Sequence, residues 1–211
     1  TPVLCKSIGA AQEISGILRP SGRVTTMSDL VPGRPVEGGG ELVGSNHPTW
    51  IAFAERFGLT LRDMSSEEDL RVPLPLGGRL LAEQEAARVW FELAASLPAV
   101  DARAAAVDSD QPWLSPDAEL LDAQSIESAW LGGLEVSPAT RDALAAQLAG
   151  DNGVANARAS WLAMLAAVKG GGLERYWAES EAYRCAEGNQ ALAEALARVL
   201  GERVATQSAV R

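Results

Sequence analysis

Between Ser21 and Leu59 the chain sets two glycine clusters, each beside a short β-prone run, directly ahead of a helix with well-marked ends. The clusters are Ser21-Gly22-Arg23 and Gly38-Gly39-Gly40. Asn46 or His47 can cap the helix, Pro48 suits its first position, and Gly58 suits its stop. Trp50, Phe53, Ala54 and Phe57 recur at i, i+3, i+4, i+7 and give it one apolar face. A glycine cluster ahead of a helix start lets backbone come close to a flat or phosphorylated ligand. Two tight turns and a packed helix account for the same pattern, and on spacing alone that plainer reading is preferred, because glycine turns are common punctuation.

The wider order of residues adds to this. Gly22-Arg23-Val24-Thr25-Thr26, a loop, Pro35-Val36-Glu37 with Gly39-Gly40 and Val43-Gly44 behind it, Asn46-His47-Pro48, an aromatic-rich helix and Phe57-Gly58-Leu59 follow in turn. This resembles the flavin-containing amine oxidases, the family of monoamine, polyamine and L-amino-acid oxidases. A second stretch, Tyr183 to Ala193, resembles that family's turn and helix downstream, and two ordered matches are stronger than either alone. The resemblance implies an α+β, predominantly helical fold. It holds part of an FAD/NAD(P)-binding domain of amine-oxidase type at 1–70, the first half of a helical substrate domain at 71–183, and a return to the FAD-binding domain at 184–211. The implied activity is oxidation of a C–N bond of an amine or amino acid by hydride transfer to FAD.

The same resemblance supplies site residues. Gly22, Arg23 and Val24 would lie along the FAD phosphates and ribityl chain, with the Arg23 fork on phosphate. Gly39, Gly40, Glu41 and Leu42 would lie against the isoalloxazine, and Val210 would pair with the adenine. Gln190 aligns with a substrate-pocket glutamine. Two readings stay open for each polar candidate: Glu41 beside the flavin or bonded to local amides, and Gln190 in the pocket or satisfying the first turn of its helix. His47, the only histidine, is a general base or a helix cap. No residue is assigned a catalytic role, because the flavin takes the hydride while the protein positions the substrate.

The family's opening G-x-G-x-x-G turn has no counterpart here. Residues 1–20 contain only Gly9 and Gly16, and twenty residues are too few for a βαβ unit of about 30. The chain therefore reads as an internal portion of such an enzyme, without that unit and without the C-terminal part. A non-catalytic remnant, or one subunit of a split enzyme acting as a helical interaction protein, is the rival reading. A second chain or a homo-oligomer would then complete the site. The stretch 22–59 is expected to lack sheet neighbours and to favour self-association.

A net charge of −10 over 211 residues argues against nucleic acid and anionic membranes as partners, since both need clustered Lys and Arg. Cys5 and Cys185 have no metal-like spacing, which fits a reducing, cytoplasmic setting and no metal site. No run of 18 apolar residues marks a membrane helix.

Beyond residue 80 the pattern is helical. An alanine-rich run at 81–107 is expected to break or kink at Pro98. Further helices are expected at 126–131, from Ser137-Pro138 to Gly150, at 157–168, and from Gln190 to Leu200. A strand is expected at 203–210.

Overall fold

In the computed structural model, residues 22–64 and 73–206 are described. The chain divides into two units, Thr1–Glu68 with Glu179–Arg211, and Asp69–Ala178. The sequence reading sets the divisions after residues 70 and 183.

In the first unit, β1 (Thr26–Val31) and β2 (Arg34–Glu37) form an antiparallel hairpin turned at Pro32-Gly33, where Gly33 takes φ +73°. β3 (Leu42–Val43) and β4 (Leu61–Asp63) both pair antiparallel with β7 (Tyr183–Cys185), which is the central strand. The long-range pairing therefore comes from the second family-like stretch. Arg184 stands opposite Leu42 on one side and Arg62 on the other. This corrects the expectation of an orphan strand at 42–43: its partner is in the same chain, and Val43 is 1% exposed.

Helix α1 (Pro48–Phe57) has the bounds its sequence marks. Proline opens it where its missing N–H is no loss, and Gly58 closes it in the left-handed region at φ +65°, with the Leu59 N–H returning to the Ala54 carbonyl. Helix α8 (Gln190–Leu200) packs against α1 and is followed by a 3-10 turn at Gly201–Arg203. The expected strand at 203–210 is not formed over its described part: Arg203 belongs to that 3-10 turn, and residues 204–206 are not strand. Val210 lies outside the described residues.

The second unit begins with a two-residue hairpin, β5 (Pro75–Leu76) and β6 (Arg79–Leu80), turned on Gly77 and Gly78. Both turn glycines have positive φ, as the hairpin twist demands. Then come α2 (Glu83–Ala104), α3 (Ala118–Asp122), α4 (Ile126–Ala129), α5 (Pro138–Asn152), α6 (Trp161–Gly170) and α7 (Glu174–Glu179). α6 is the hub. Trp161, Leu162, Met164, Leu165 and Val168 are buried, and α2, α3 and α4 all contact it. Val89, Ser96, Val100 and Ala104 are the buried face of α2, and Thr140, Leu144 and Leu148 that of α5, each at helical spacing.

Pro98 does not break α2, which runs through it. The residue and the Ala94 one turn back are both exposed, so the carbonyl that loses its N–H partner faces water. α5 runs past Gly150 to a left-handed Gly153, and α6 starts at Trp161 behind a Ser160 cap that accepts the Ala163 N–H at 3.2 Å.

Candidate functional site

The β1–β2 hairpin brings the two glycine clusters of the first unit together. The Gly38 N–H donates to the Thr25 carbonyl at 2.7 Å, and the Gly40 N–H to the Arg23 carbonyl at 3.4 Å. The glycines differ in what they serve. A Cβ on Gly39 would fall far inside van der Waals contact with the Arg23 carbonyl, so Gly39 is required by the chain's own closure. A Cβ on Gly40 or Gly22 would meet nothing within 4 Å. Arg23 is exposed, with no side-chain partner among the described residues.

A polar knot fastens this hairpin to the start of α8. The Glu37 carboxylate accepts the Thr26 hydroxyl at 3.0 and 3.2 Å and the Asn189 N–H at 2.9 Å. Asn189, 6% exposed, donates from Nδ2 to the carbonyls of Gly40 at 3.0 Å and Glu41 at 2.7 Å. Its Oδ1 is buried without a hydrogen-bond partner. Gln190 Oε1 accepts the Thr26 N–H at 3.1 Å, and the Gln190 N–H donates to Thr26 Oγ1 at 3.2 Å. The close approach depends on Gly188, which sits at φ +86° with its missing Cβ aimed into Thr26. Glu37 thus meets the open N–H groups at the start of α8 with a negative charge.

The candidate residues gather in this unit. Gly22, Arg23 and Val24 lead into β1, while Gly39, Gly40, Glu41 and Leu42 link β2 to β3. Glu41 forms an ion pair with Arg184, so its carboxylate answers to a side chain rather than to local amides. Gln190 borders a cavity of about 470 Å3 whose other lining residues run from Thr25 to Leu30. Both ends of its amide are engaged, since Nε2 also donates to Glu194 Oε1 at 2.6 Å. His47 takes the cap position of α1 without a side-chain bond to the helix, and its Nδ1 accepts the Gly44 N–H at 2.9 Å. That is a turn-forming role.

Sequence reasoning passes over Thr26, Glu37, Asn189 and Arg184 as site residues. A signal was present for Glu37 and Asn189, since both lie inside the quoted stretches beside glycines. Their joint work is across 152 positions and has no local pattern. Cys185 is buried, and burial pushes its thiol up to about 11, which makes it an inert core group. Among the described residues, no three His, Cys, Asp or Glu side chains are placed to hold a metal ion, and no helix is long and apolar enough to cross a membrane.

Compared with solved structures, the chain is similar in fold to cyclohexylamine oxidase from Brevibacterium oxydans IH-35A. The TM-score is 0.67 at 22% identity, over 86% of this chain and 42% of that one. A putrescine oxidase triple mutant, made in a redesign of cofactor binding, gives 0.69 at 20% identity, over 90% of this chain and 43% of that one. The wild-type putrescine oxidase bound to putrescine gives 0.61 at 21%, over 86% and 41%. The chain therefore has the fold of an amine oxidase portion and spans less than half the length of these structures. No protein-family model and no curated protein matches it.

Proposed function

We propose that the chain is part of an FAD-dependent amine oxidoreductase, oxidising the C–N bond of a small amine or amino acid. The observation that carries this reading is the pairing of Gly22-Arg23 with Gly39-Gly40. One hairpin presents an exposed guanidinium, unpartnered among the described residues, and two glycine positions with open space beside the backbone. Those features fit a phosphate and a flat ring system, and the fold likeness supplies the same direction.

In this reading Arg23 holds phosphate, and Gly22 and Val24 let the backbone run beside it. Gly40, Glu41 and Leu42 form the platform for the ring, with Gly39 as the residue that closes the platform onto Arg23. Bound FAD would supply the hydride acceptor. Glu41, paired with Arg184, keeps its charge fixed beside that platform. Gln190 acts as a wall of the cavity, because its amide is already spent on Thr26 and Glu194. Val210 keeps its place by resemblance only. A G-x-G-x-x-G turn would come from flanking sequence or a second chain.

Flavin retention tests the reading. The 211-residue chain alone is expected to lose FAD on gel filtration, because it has no glycine turn for the pyrophosphate. Expressed in its complete reading frame, or with a chain that carries such a turn, it is expected to purify yellow. Arg23→Ala should then weaken FAD binding by about 1.5–3 kcal/mol, the scale of a hydrogen bond to a charged group. A colourless protein in both settings would favour the helical interaction protein instead.

A further inference from the structure

One side chain, Asn189, holds the backbone of Glu41 from both sides. Its Nδ2 donates to the Gly40 carbonyl at 3.0 Å and to the Glu41 carbonyl at 2.7 Å. Those carbonyls belong to the two peptide planes that flank Glu41, so a single amide fixes both planes. The Glu41 carboxylate is held separately, by Arg184. Glu41 is then left with one hydrogen-bonding group, its backbone N–H, which has no protein partner among the described residues. Across a planar trans peptide this N–H points away from the Gly40 carbonyl, and so away from Asn189. The side it points to is open, since a Cβ on the adjoining Gly40 would meet nothing within 4 Å.

We propose that Asn189 is a positioning residue for the ring of a bound flavin. By capturing the Gly40 and Glu41 carbonyls it turns the Glu41 N–H outward, as a fixed donor to a carbonyl or ring-nitrogen acceptor on that ring. The inference rests on the FAD-dependent reading of the chain and adds a residue that acts on the cofactor without touching it. Asn189 is itself held in place, because its backbone N–H donates to Glu37 at 2.9 Å. The donor at Glu41 is therefore set by the β1–β2 hairpin and by the start of α8 together.

A purely stabilising role does not account for Asn189. The residue is 6% exposed, and its Oδ1 is buried without a hydrogen-bond partner, which costs stability. The amide cannot turn over to relieve this, because Oδ1 would then face two carbonyl oxygens. The neighbouring Gln190 shows the contrast, since both ends of its amide are paired within the fold. What Asn189 gains is the orientation of the glycine turn. A donor fixed before the ligand arrives costs no reorganisation when negative charge develops on its acceptor. Reduced flavin is richer in electrons at its carbonyl and ring-nitrogen edge than oxidised flavin, so a donor there favours the reduced form. Asn189 thereby raises the reduction potential of the bound ring.

The test uses the protein in its complete reading frame, or with a chain that supplies the G-x-G-x-x-G turn, and reads hydrogen exchange and flavin potential. In the wild type, FAD should slow exchange of the Glu41 amide about tenfold or more, and leave Gly40, already bonded to Arg23, unchanged. Asn189→Asp keeps the shape of the side chain but donates nothing to the two carbonyls when ionised. Asn189→Ala removes the donor without adding charge beside Glu37. Each should weaken reduced FAD about tenfold more than oxidised FAD, a fall in potential of about 30 mV. Arg23→Ala should weaken both forms alike and leave the potential unchanged. A merely structural loss would lower the melting temperature without moving the potential. The inference is overturned if Glu41 exchanges equally with and without FAD, or if a folded Asn189 variant keeps the wild-type potential; in either case the FAD-dependent reading stands. Should both variants fail to fold, exchange at Glu41 in the wild type decides. A wild type that retains no FAD overturns that reading and this inference with it.

Discussion

The carboxylate of Glu37 accepts the backbone N–H of Asn189 at 2.9 Å, joining the end of the β1–β2 hairpin to the start of α8. Asn189 in turn donates to the Gly40 and Glu41 carbonyls. The two residues therefore set where the second glycine turn lies relative to the helix behind it. Glu37→Ala removes the acceptor for both the Thr26 hydroxyl and the Asn189 N–H. It should cost roughly 2–3 kcal/mol in urea unfolding, the scale of hydrogen bonds to a charged group. Faster hydrogen exchange should be confined to the start of α8 and the hairpin. Unchanged stability, or exchange raised evenly over the first unit, would contradict the role given to Glu37.

Gly39 and Gly40 are neighbours with opposite expectations. Gly39→Ala drives a methyl into the Arg23 carbonyl and should open the hairpin, with a clear loss of thermal stability. Gly40→Ala meets open space at a backbone conformation that any residue adopts, so stability should change by less than about 0.5 kcal/mol. If Gly40 is ligand-facing, the same methyl should lower FAD affinity in the complete flavoprotein tenfold or more. Equal melting temperatures for the two variants would refute the distinction.

Parts of this structure were legible in the sequence and parts were not. α1 was readable from Pro48, its apolar spacing and Gly58, because a helix boundary is a local event. Pro98 does not end α2, and its local signal could not show this: Pro98 and Ala94, whose carbonyl loses its N–H partner, are both exposed, so the lost bond is not buried. The pairing of Leu42-Val43 with β7 was hidden by distance along the chain: two-residue strands carry no periodicity, and their partner lies 140 residues on. The ion pair of Glu41 with Arg184 follows from that register and was equally out of reach. The glycine clusters themselves were visible, but only the built hairpin separates Gly39, which serves the chain, from Gly40, which leaves space.

Glu92 makes the second unit pH-sensitive. Its carboxylate accepts the Ser137 and Thr140 hydroxyls at 2.6 Å each, pairs with Arg88 at 2.7 Å, and takes the Ser137 N–H at 2.8 Å. These bonds lower its pKa from 4.5 to about 2. A depressed carboxylate contributes stability that is full above its unfolded pKa and is lost as pH falls toward the folded one. The gap in unfolding free energy between wild type and Glu92→Gln should be constant above pH 5 and narrow between pH 4.5 and 2. A gap that stays constant down to pH 2 would show that the charge is not what the cap of α5 uses.

The most direct measurement is anaerobic titration of the flavin-loaded protein, in its complete reading frame or with a chain that supplies the G-x-G-x-x-G turn, against primary amines, diamines and amino acids. The account predicts that the oxidised flavin absorbance bleaches with at least one of these substrates. It also predicts that air restores the absorbance with release of hydrogen peroxide. A flavin that stays oxidised with every amine offered, in a folded protein that holds FAD, would contradict it.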